Sequence, residues 1–487
     1  MQQVNFYNRH ALHDVAATRQ LEQQAQQALP PHTLMARAGL AVAKLALAIA
    51  PHAQRIWVAA GPGNNGGDGL EAAMHLQRWG KHPLVSWLGN PERPPADTKR
   101  SHQNAVDAGV EFVDSPPENC ALCIDALLGI GSQLREPEGP MADWIARLNS
   151  LGAPVLAVDV PTGLQADTGT ASAVRVKASH TLSLLTLKPG LFTGHGRDLA
   201  GSVWLDDLQA GQAFTSATAA WPPSAWLAGT PTESTRAHAS HKGSYGDVVM
   251  IGGAKGMTGA ALLAASAALR GGAGRVFVSL LDEQSMQLDP TQPELMFRAL
   301  NALAWNHMTV VAGCGGGAAI AAELPQLLKS ARQLVIDADG LNAIAESTQL
   351  QTLLRARGQQ QRATVLTPHP LEAARLLACS TAEVQANRLE AAQQLARRFA
   401  CTVVLKGSGT LIVQTGATPV INPTGNARLA TGGTGDVLAG LIGARLAGGL
   451  NAFDAACQAV YQHGRVADVW PPDQALTASQ LAKALTA

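Results

Sequence analysis

Two glycine-rich segments of this 487-residue chain end in a carboxylate and carry residue types suited to phosphate-bearing ligands. The first is Gly61-Pro62-Gly63-Asn64-Asn65-Gly66-Gly67-Asp68-Gly69, the second Thr431-Gly432-Gly433-Thr434-Gly435-Asp436. Each opens an apolar, helix-like run. Main-chain N–H groups at a helix start donate to phosphate, and glycine lets the ligand come close. In the first segment Asn64 and Asn65 add side-chain amides and Asp68 a carboxylate, more than a bare strand-to-helix turn needs. The lysine and hydroxyl of a Walker loop are missing, and Asn64-Asn65 break the dinucleotide fingerprint. In the second, Asp436 would repel a phosphate unless it serves as a base for a hydroxyl attacking a phosphoryl group; the plainer alternative is a capping aspartate. Asp125 precedes Gly129-Ile130-Gly131, and Asp159 precedes Val160-Pro161-Thr162-Gly163. Each ends an apolar run, where an aspartate acts as acid or base or caps the turn. Two such loops imply two ligand sites and two activities.

These residues need elements to hold them. The first half alternates strand signals (Arg55–Ala60, His82–Leu88, Ala121–Ala126, Pro154–Val160) with helix signals (Leu70–Gly80, Asp97–Gly109). That rhythm predicts a mostly parallel sheet with helices on both faces. Gly61–Gly69, Asp125–Gly131 and Asp159–Gly163 then converge at the carboxyl ends of the strands. From about Leu208 to Ala239 the alternation dissolves into Ala, Ser, Thr and Pro, the best linker candidate. The second half restarts it. Strands are expected at Asp247–Ile251, Arg275–Leu280, Met308–Ala312, Gln333–Asp337, Ala363–Leu366 and Thr402–Lys406. Helices are expected at Thr258–Leu269, Gly435–Leu446 and, capped by Thr381, Thr381–Ala400. The expectation is two unrelated α/β domains, at 1–215 and 240–487, joined by a linker at 216–239.

A chain this long exceeds one ordinary core. Lys plus Arg and Asp plus Glu both number 36, with no long basic run, which argues against nucleic acid held by counterion release. Six cysteines are sparse for this length. The Cys120-x-x-Cys123 pair lies in an apolar stretch and reads as ordinary buried thiols, so a reducing, cytoplasmic setting is expected. The N-terminus lacks the pattern of a signal peptide, and the apolar runs at Leu40–Ala50 and Ala260–Leu269 are too short to span a bilayer.

With Arg135-Glu136-Pro137 and Thr186-Leu187-Lys188-Pro189-Gly190-Leu191, the first-half motifs resemble the NAD(P)H-hydrate epimerase family over about Gln20 to Asp207. The resemblance implies a Rossmann-like three-layer αβα domain. It implies that Asn64, Asn65, Gly66, Gly67 and Asp68, with Gly129, Ile130, Gly131, Ser132, Gln133, Leu134 and Arg135, hold the hydrated dinucleotide. Asp159 would stand at the reacting nicotinamide, and Asn65, Asp125 and Thr162 would bind K⁺. The family usually has serine at the last position; threonine keeps the hydroxyl and the carbonyl.

The second half, Ser240–Trp470, resembles the ADP-dependent NAD(P)H-hydrate dehydratases, a branch of the ribokinase-type fold. The matching stretches are His241-Lys242-Gly243-Ser244-Tyr245-Gly246, Gly252-Gly253-Ala254-x-x-Met257-Thr258-Gly259-Ala260, Thr367-Pro368-His369-Pro370, Lys406-Gly407-Ser408-Gly409-Thr410 and Asn426 through Asp436. The resemblance implies that Lys406, Gly407, Ser408, Gly409, Thr410 and Gly435 bind the adenine nucleotide with Mg²⁺. Ala260, Gly315 in the Gly313–Gly317 loop, His369 and Asp436 would face the substrate, with Asp436 the base. Two departures concern loop shape: Leu371 stands where the family has glycine, and Cys314 where it has proline. The expected function is a bifunctional, homo-oligomeric repair enzyme for hydrated NADH and NADPH that spends ADP. Two alternatives are a small-molecule kinase with a non-catalytic N-terminal domain, and an N-terminal half that only senses or scaffolds nucleotide.

Overall fold

The computed structural model describes every residue except 91, 93, 132–135, 211–221, 233–236, 283 and 487. The chain divides into two compact units. One comprises Met1–Asn5 and His10–Trp226, the other Phe6–Arg9 and Leu227–Ala487.

The strands of the first unit are apolar on both faces because both are covered. In Arg55–Ala60, Ile56, Val58 and Ala60 enter one core cluster, with Leu45, Leu70 and Leu76 from two helices. Trp57 and Ala59 enter another, with Trp144, Ile145 and Leu148. Alternation of side chains thus makes three layers from one continuous apolar run. The sheet runs Gln2–Gln3, Ser202–Asp206, His180–Leu184, Val155–Val158, Leu122–Ala126, Arg55–Ala60, His82–Trp87, Glu111–Phe112. All pairings are parallel except that of Gln2–Gln3. Strand order reverses at Arg55–Ala60, which pairs with His82–Trp87 on one side and Leu122–Ala126 on the other. The crevice at such a switch point is where open α/β sheets bind ligands.

In the second unit nine strands run Met296–Phe297, Arg275–Leu280, Asp247–Gly252, Thr309–Ala312, Gln333–Ile336, Thr364–Leu366, Thr402–Leu405, Leu411–Val413, Val420–Ile421, the last two pairings antiparallel. Its reversal lies between Asp247–Gly252 and Thr309–Ala312. The helices Thr258–Arg270 and Thr434–Ala447 pack so closely that a Cβ on Gly440 would lie 2.0 Å from the Ala264 carbonyl oxygen.

Two expectations are corrected. The first glycine segment is mostly helix: Asn64–Arg78 is one helix, so only Gly61–Gly63 turn. Tertiary contact overrides glycine's poor propensity here, since a Cβ on Gly66 would come 2.0 Å from the Gly61 oxygen. Thr381–Ala400 is two helices, Thr381–Ala386 capped by Ser380 and Arg388–Phe399 capped by Asn387. The Asn387 side chain accepts from the Glu390 N–H at 3.1 Å, offering the backbone a fresh start instead of continuation. Of the expected linker 216–239, residues 216–221 and 233–236 lie outside the described residues; between them is the strand Ala225–Leu227, with Ala225 and Leu227 buried.

Candidate active sites

The first site is a cavity of about 520 Å³ over the switch point of the first sheet. Asn64, Asn65, Asp68, Gly129, Ile130, Gly131 and Asp159 line it; Gly66 and Gly67 do not. Ser132, Gln133, Leu134 and Arg135 lie outside the described residues. The turn is tied to its neighbour: the Gly61 N–H donates to the Ala126 oxygen at 3.0 Å, and a Cβ on Gly61 would meet the Leu127 oxygen at 1.8 Å. Only glycine allows the two strand ends to approach this closely.

Asp125, on the strand Leu122–Ala126, is wholly buried. Its carboxylate accepts from the Thr162 N–H at 2.8 Å and the Thr162 hydroxyl at 2.7 Å. Burial raises it to about 6 against these hydrogen bonds, with no side-chain cation among the groups that act on it. Asn65 sits against Gly129 and leaves a buried amide nitrogen without a partner.

Asp159 has a left-handed backbone, φ 67°, immediately after Val155–Val158. Its Oδ1 accepts from the buried Lys188 ammonium and from the Leu184 N–H at 3.2 Å. Lys188 also donates to the Leu184 oxygen at 2.8 Å, so both charges of this pair are fixed. Around them stand more carboxylates. Asp68 is pushed well above the usual range, by burial first and then by Asp159 and Glu22. Glu22 is raised for the same reasons, offset by Lys188 and Arg19. The cavity therefore offers one carboxylate held by a cation and two nearby that favour a proton. Sequence reasoning quoted Lys188 in a motif but assigned it no role, and missed Glu22 and Arg19; a pairing across 29 residues leaves no local signal.

The second site lies where the central strands of the second sheet end. Their exits are laced together: Gly313 N–H to Ile251 O at 3.1 Å, Asp337 N–H to Ala312 O at 3.0 Å, Thr367 N–H to Ile336 O at 3.1 Å, Lys406 N–H to Pro368 O at 2.9 Å. Asp337 is buried and accepts from Lys406 Nζ at 2.6 Å and from the Thr367 hydroxyl at 2.8 Å. Carboxylate oxygens of Asp337 and Asp436 and the Cys314 sulfur lie within 4.8 Å of one another. Asp436 is raised to about 6, mainly by burial and then by Asp337, while the Cys314 thiol and Lys406 oppose the rise. Gly435 brings its backbone beside Lys406, with room for a Cβ 3.4 Å from Nζ. The Thr434 carbonyl is held by His463 at 2.9 Å; burial lowers that histidine to about 4, so it stays neutral.

The remaining expected residues divide. Ala260 and Gly315 are neighbours, 2.9 Å from a Cβ on Gly315. The Lys406–Thr410 turn is shaped by Gly407 at φ 131° and Gly409 at φ 62°, and the buried Arg388 clamps the Lys406 oxygen at 3.2 Å. His369 is the N-cap of the helix Pro370–Leu377: its Nδ1 accepts from the Leu371 N–H at 3.1 Å and the Glu372 N–H at 3.3 Å, so its proton sits on Nε2. Leu371 is exposed. Glu372, raised to about 7 chiefly by burial, approaches Lys406 Nζ at 3.9 Å. Asp337 carried the same signal as Asp125 and Asp159, an aspartate at a strand end, and could have been found by it.

Fold and sites define a two-unit α/β protein with a carboxylate-lined cavity in one unit and an Asp337–Asp436–Lys406 cluster at the strand ends of the other. Residues 31–190 match the family model described as YjeF-related protein N-terminus, and 248–487 the one described as NAD(P)H-hydrate dehydratase. The chain is 37% identical over 473 residues to the bifunctional NAD(P)H-hydrate repair enzyme Nnr of Vibrio cholerae, covering 93% of this chain and 92% of that one. It is 35% identical over 461 residues to that of Escherichia coli, covering 90% and 85%. It thus belongs to the family of bifunctional NAD(P)H-hydrate repair enzymes; its N-terminal half has the Rossmann-like fold expected, and its C-terminal half is built on a mixed α/β sheet. Among solved structures, the ADP/ATP-dependent NAD(P)H-hydrate dehydratase of Bacillus subtilis, co-crystallised with ATP and Mg²⁺, matches at 30% identity and TM-score 0.46, covering 52% of this chain and 91% of that one.

Proposed function

We propose that this chain repairs hydrated NADH and NADPH in two steps. The unit expected at 1–215 interconverts the R and S hydrates, and that at 240–487 dehydrates the S form using ADP. The observation that carries the reading is the Asp436–Asp337–Lys406 cluster at the start of Thr434–Ala447. A base, an anchored cation and a helix N-terminus meet there, as phosphoryl transfer to a substrate hydroxyl requires.

The hydrate carries a hydroxyl on the carbon next to the ring nitrogen. Hydroxide leaves poorly, phosphate well. Asp436, ionised above about pH 6, takes the hydroxyl proton as that oxygen bonds to the terminal phosphorus of ADP, and the bond to AMP breaks. Lys406 and the amides at Gly435 receive the transferred charge, and Lys406–Thr410 seats the nucleotide. Phosphate then departs with the ring nitrogen's lone pair pushing, and loss of a proton from the adjacent carbon restores the reduced nicotinamide. Mg²⁺ bound with the nucleotide would supply further charge neutralisation; the carboxylate oxygens of the buried Asp337 and the half-buried Asp436 suit a hard cation.

In the first unit Asp159 is the proton shuttle for loss and return of the hydroxyl, or for ring opening. Lys188 occupies its Oδ1; among the described residues no donor reaches Oδ2. K⁺ fits the buried, uncompensated Asp125 with Thr162 and Asn65, whose amide turned over would present its oxygen where the nitrogen has no partner. A cytoplasmic homo-oligomer accords with six free cysteines and with exposed apolar side chains such as Tyr7 and Leu288. Among the described residues no single helix is long and apolar enough to cross a membrane.

The test is a mixed hydrate preparation given ADP and Mg²⁺, followed by recovery of reduced-nicotinamide absorbance. Wild type should consume both epimers; Asp159→Asn should stall with the R form left; Asp436→Ala should recover nothing. Recovery by Asp436→Ala at the wild-type rate removes its assignment. A stable phosphorylated product would instead make the second unit a kinase.

A further inference from the structure

The sequence leaves Cys120 and Cys123 as ordinary buried thiols, and the fold makes them unlike each other. Cys123 lies wholly buried on the strand Leu122–Ala126, in the cluster with Trp57 and Val155. Cys120 stands before a bend at Ala121 and is only partly covered. The bend brings the two sulfurs to 3.3 Å. The Cys120 sulfur also collects the main-chain N–H groups of Trp57 and Leu122, with the Arg147 guanidinium near by. Arg147 is itself pinned to the Pro117 carbonyl at 3.0 Å. Together these hold the Cys120 thiol down at about 7, the contact with the Cys123 sulfur contributing most. One sulfur is within reach of solvent and the other lies buried against it, as suits an attacking and a resolving thiol. A disulfide needs sulfurs about 2 Å apart, so closure asks for a little over ~1 Å of travel.

We propose that Cys120 and Cys123 form a redox-active dithiol that exchanges with low-molecular-weight disulfides of the glutathione class. The Cys120 thiolate attacks one sulfur of the disulfide, forming a mixed disulfide and releasing one thiolate, which takes up a proton. Cys123 then loses its proton, attacks the Cys120 sulfur and expels the second thiol. Two protein thiols are oxidised and one small disulfide is reduced to two thiols; dithiothreitol reverses the sequence. The pair lies outside the machinery assigned to either reaction, and the inference stands without that assignment.

The experiment exposes the folded full-length protein to oxidised glutathione near neutral pH, quenches with acid, alkylates under denaturing conditions and maps each cysteine by mass spectrometry. The expected result is a Cys120–Cys123 peptide two hydrogens lighter, unalkylated and restored by dithiothreitol. In Cys123→Ser, glutathione should remain on Cys120. In the reduced protein at neutral pH, iodoacetamide should modify Cys120 about ten-fold or more faster than the partly covered Cys379, whose thiol is raised by burial. Full alkylation of both cysteines after the oxidant overturns the proposal, as does glutathione lodged on wild-type Cys120 without closure. Both readouts come from the wild-type chain, so they decide the matter even where the serine variant fails to fold.

Discussion

Asp125 shows how one buried carboxylate can tie stability to both pH and a monovalent cation. Its ordinary value near 3.8 rises to about 6 in the folded chain. Between these values the folded state binds the extra proton, so stability falls as pH rises through the window, and above about 6 the folded chain carries the buried charge. A cation that binds only the ionised form restores stability only there. Replacing tetramethylammonium by K⁺ should therefore raise Tm at about pH 8 and hardly at about pH 5. Asp125→Asn should erase the difference; an equal K⁺ effect at both pH values would dissociate the ion from this carboxylate. The strand-end aspartates Asp125 and Asp159 were legible because an apolar run ending in Asp before glycine is a local pattern. Lys188, Glu22 and Glu372 were not, because each acquires its role from a partner brought in by the fold.

At the scale of elements, two glycines on one helix separate packing from chemistry. Thr434–Ala447 carries Gly435 at its first turn and Gly440 against the Ala264 backbone. Gly440→Ala forces a Cβ to 2.0 Å from a carbonyl oxygen and should cost about 1–3 kcal/mol, read as a fall in Tm. Gly435→Ala meets nothing closer than 3.4 Å, so stability should hold within about 0.5 kcal/mol. It should nonetheless slow dehydration, because the methyl group covers the amides a phosphate must reach. Equal destabilisation by the two, or full activity in Gly435→Ala, would remove this distinction. The strands that were expected lie within a residue or two of observed ones, since strands buried on both faces read as unbroken apolar runs; Gln2–Gln3, Glu111–Phe112, His180–Leu184, Ser202–Asp206, Met296–Phe297, Leu411–Val413 and Val420–Ile421 went unread. The break at Asn387 was not: the amphipathic pattern runs through it, and only the local Asn387–Glu390 bond ends one helix and starts the next.

At the scale of the whole chain, the boundary was only half legible. The polar stretch before Ala239 marked a change of unit, but nothing in Phe6–Arg9 announces that these residues belong with the C-terminal unit. They are bound there by structure: the buried Tyr461 hydroxyl donates to the Phe6 carbonyl at 2.9 Å and meets the Thr230 hydroxyl at 2.9 Å. Deleting residues 1–9 removes that acceptor and should destabilise the dehydratase unit by about 1–3 kcal/mol, read as faster thermal loss of dehydratase activity. Unchanged inactivation would show the segment to be dispensable there.

That bond spans 455 residues, nearly the length of the chain. On the ribosome, Phe6 emerges 455 residues ahead of its partner. At roughly 5–20 residues per second the early segment waits on the order of half a minute for Tyr461. The sheet of the first unit can close meanwhile, but the second unit waits for Tyr461 before it can hold a segment made 455 residues earlier.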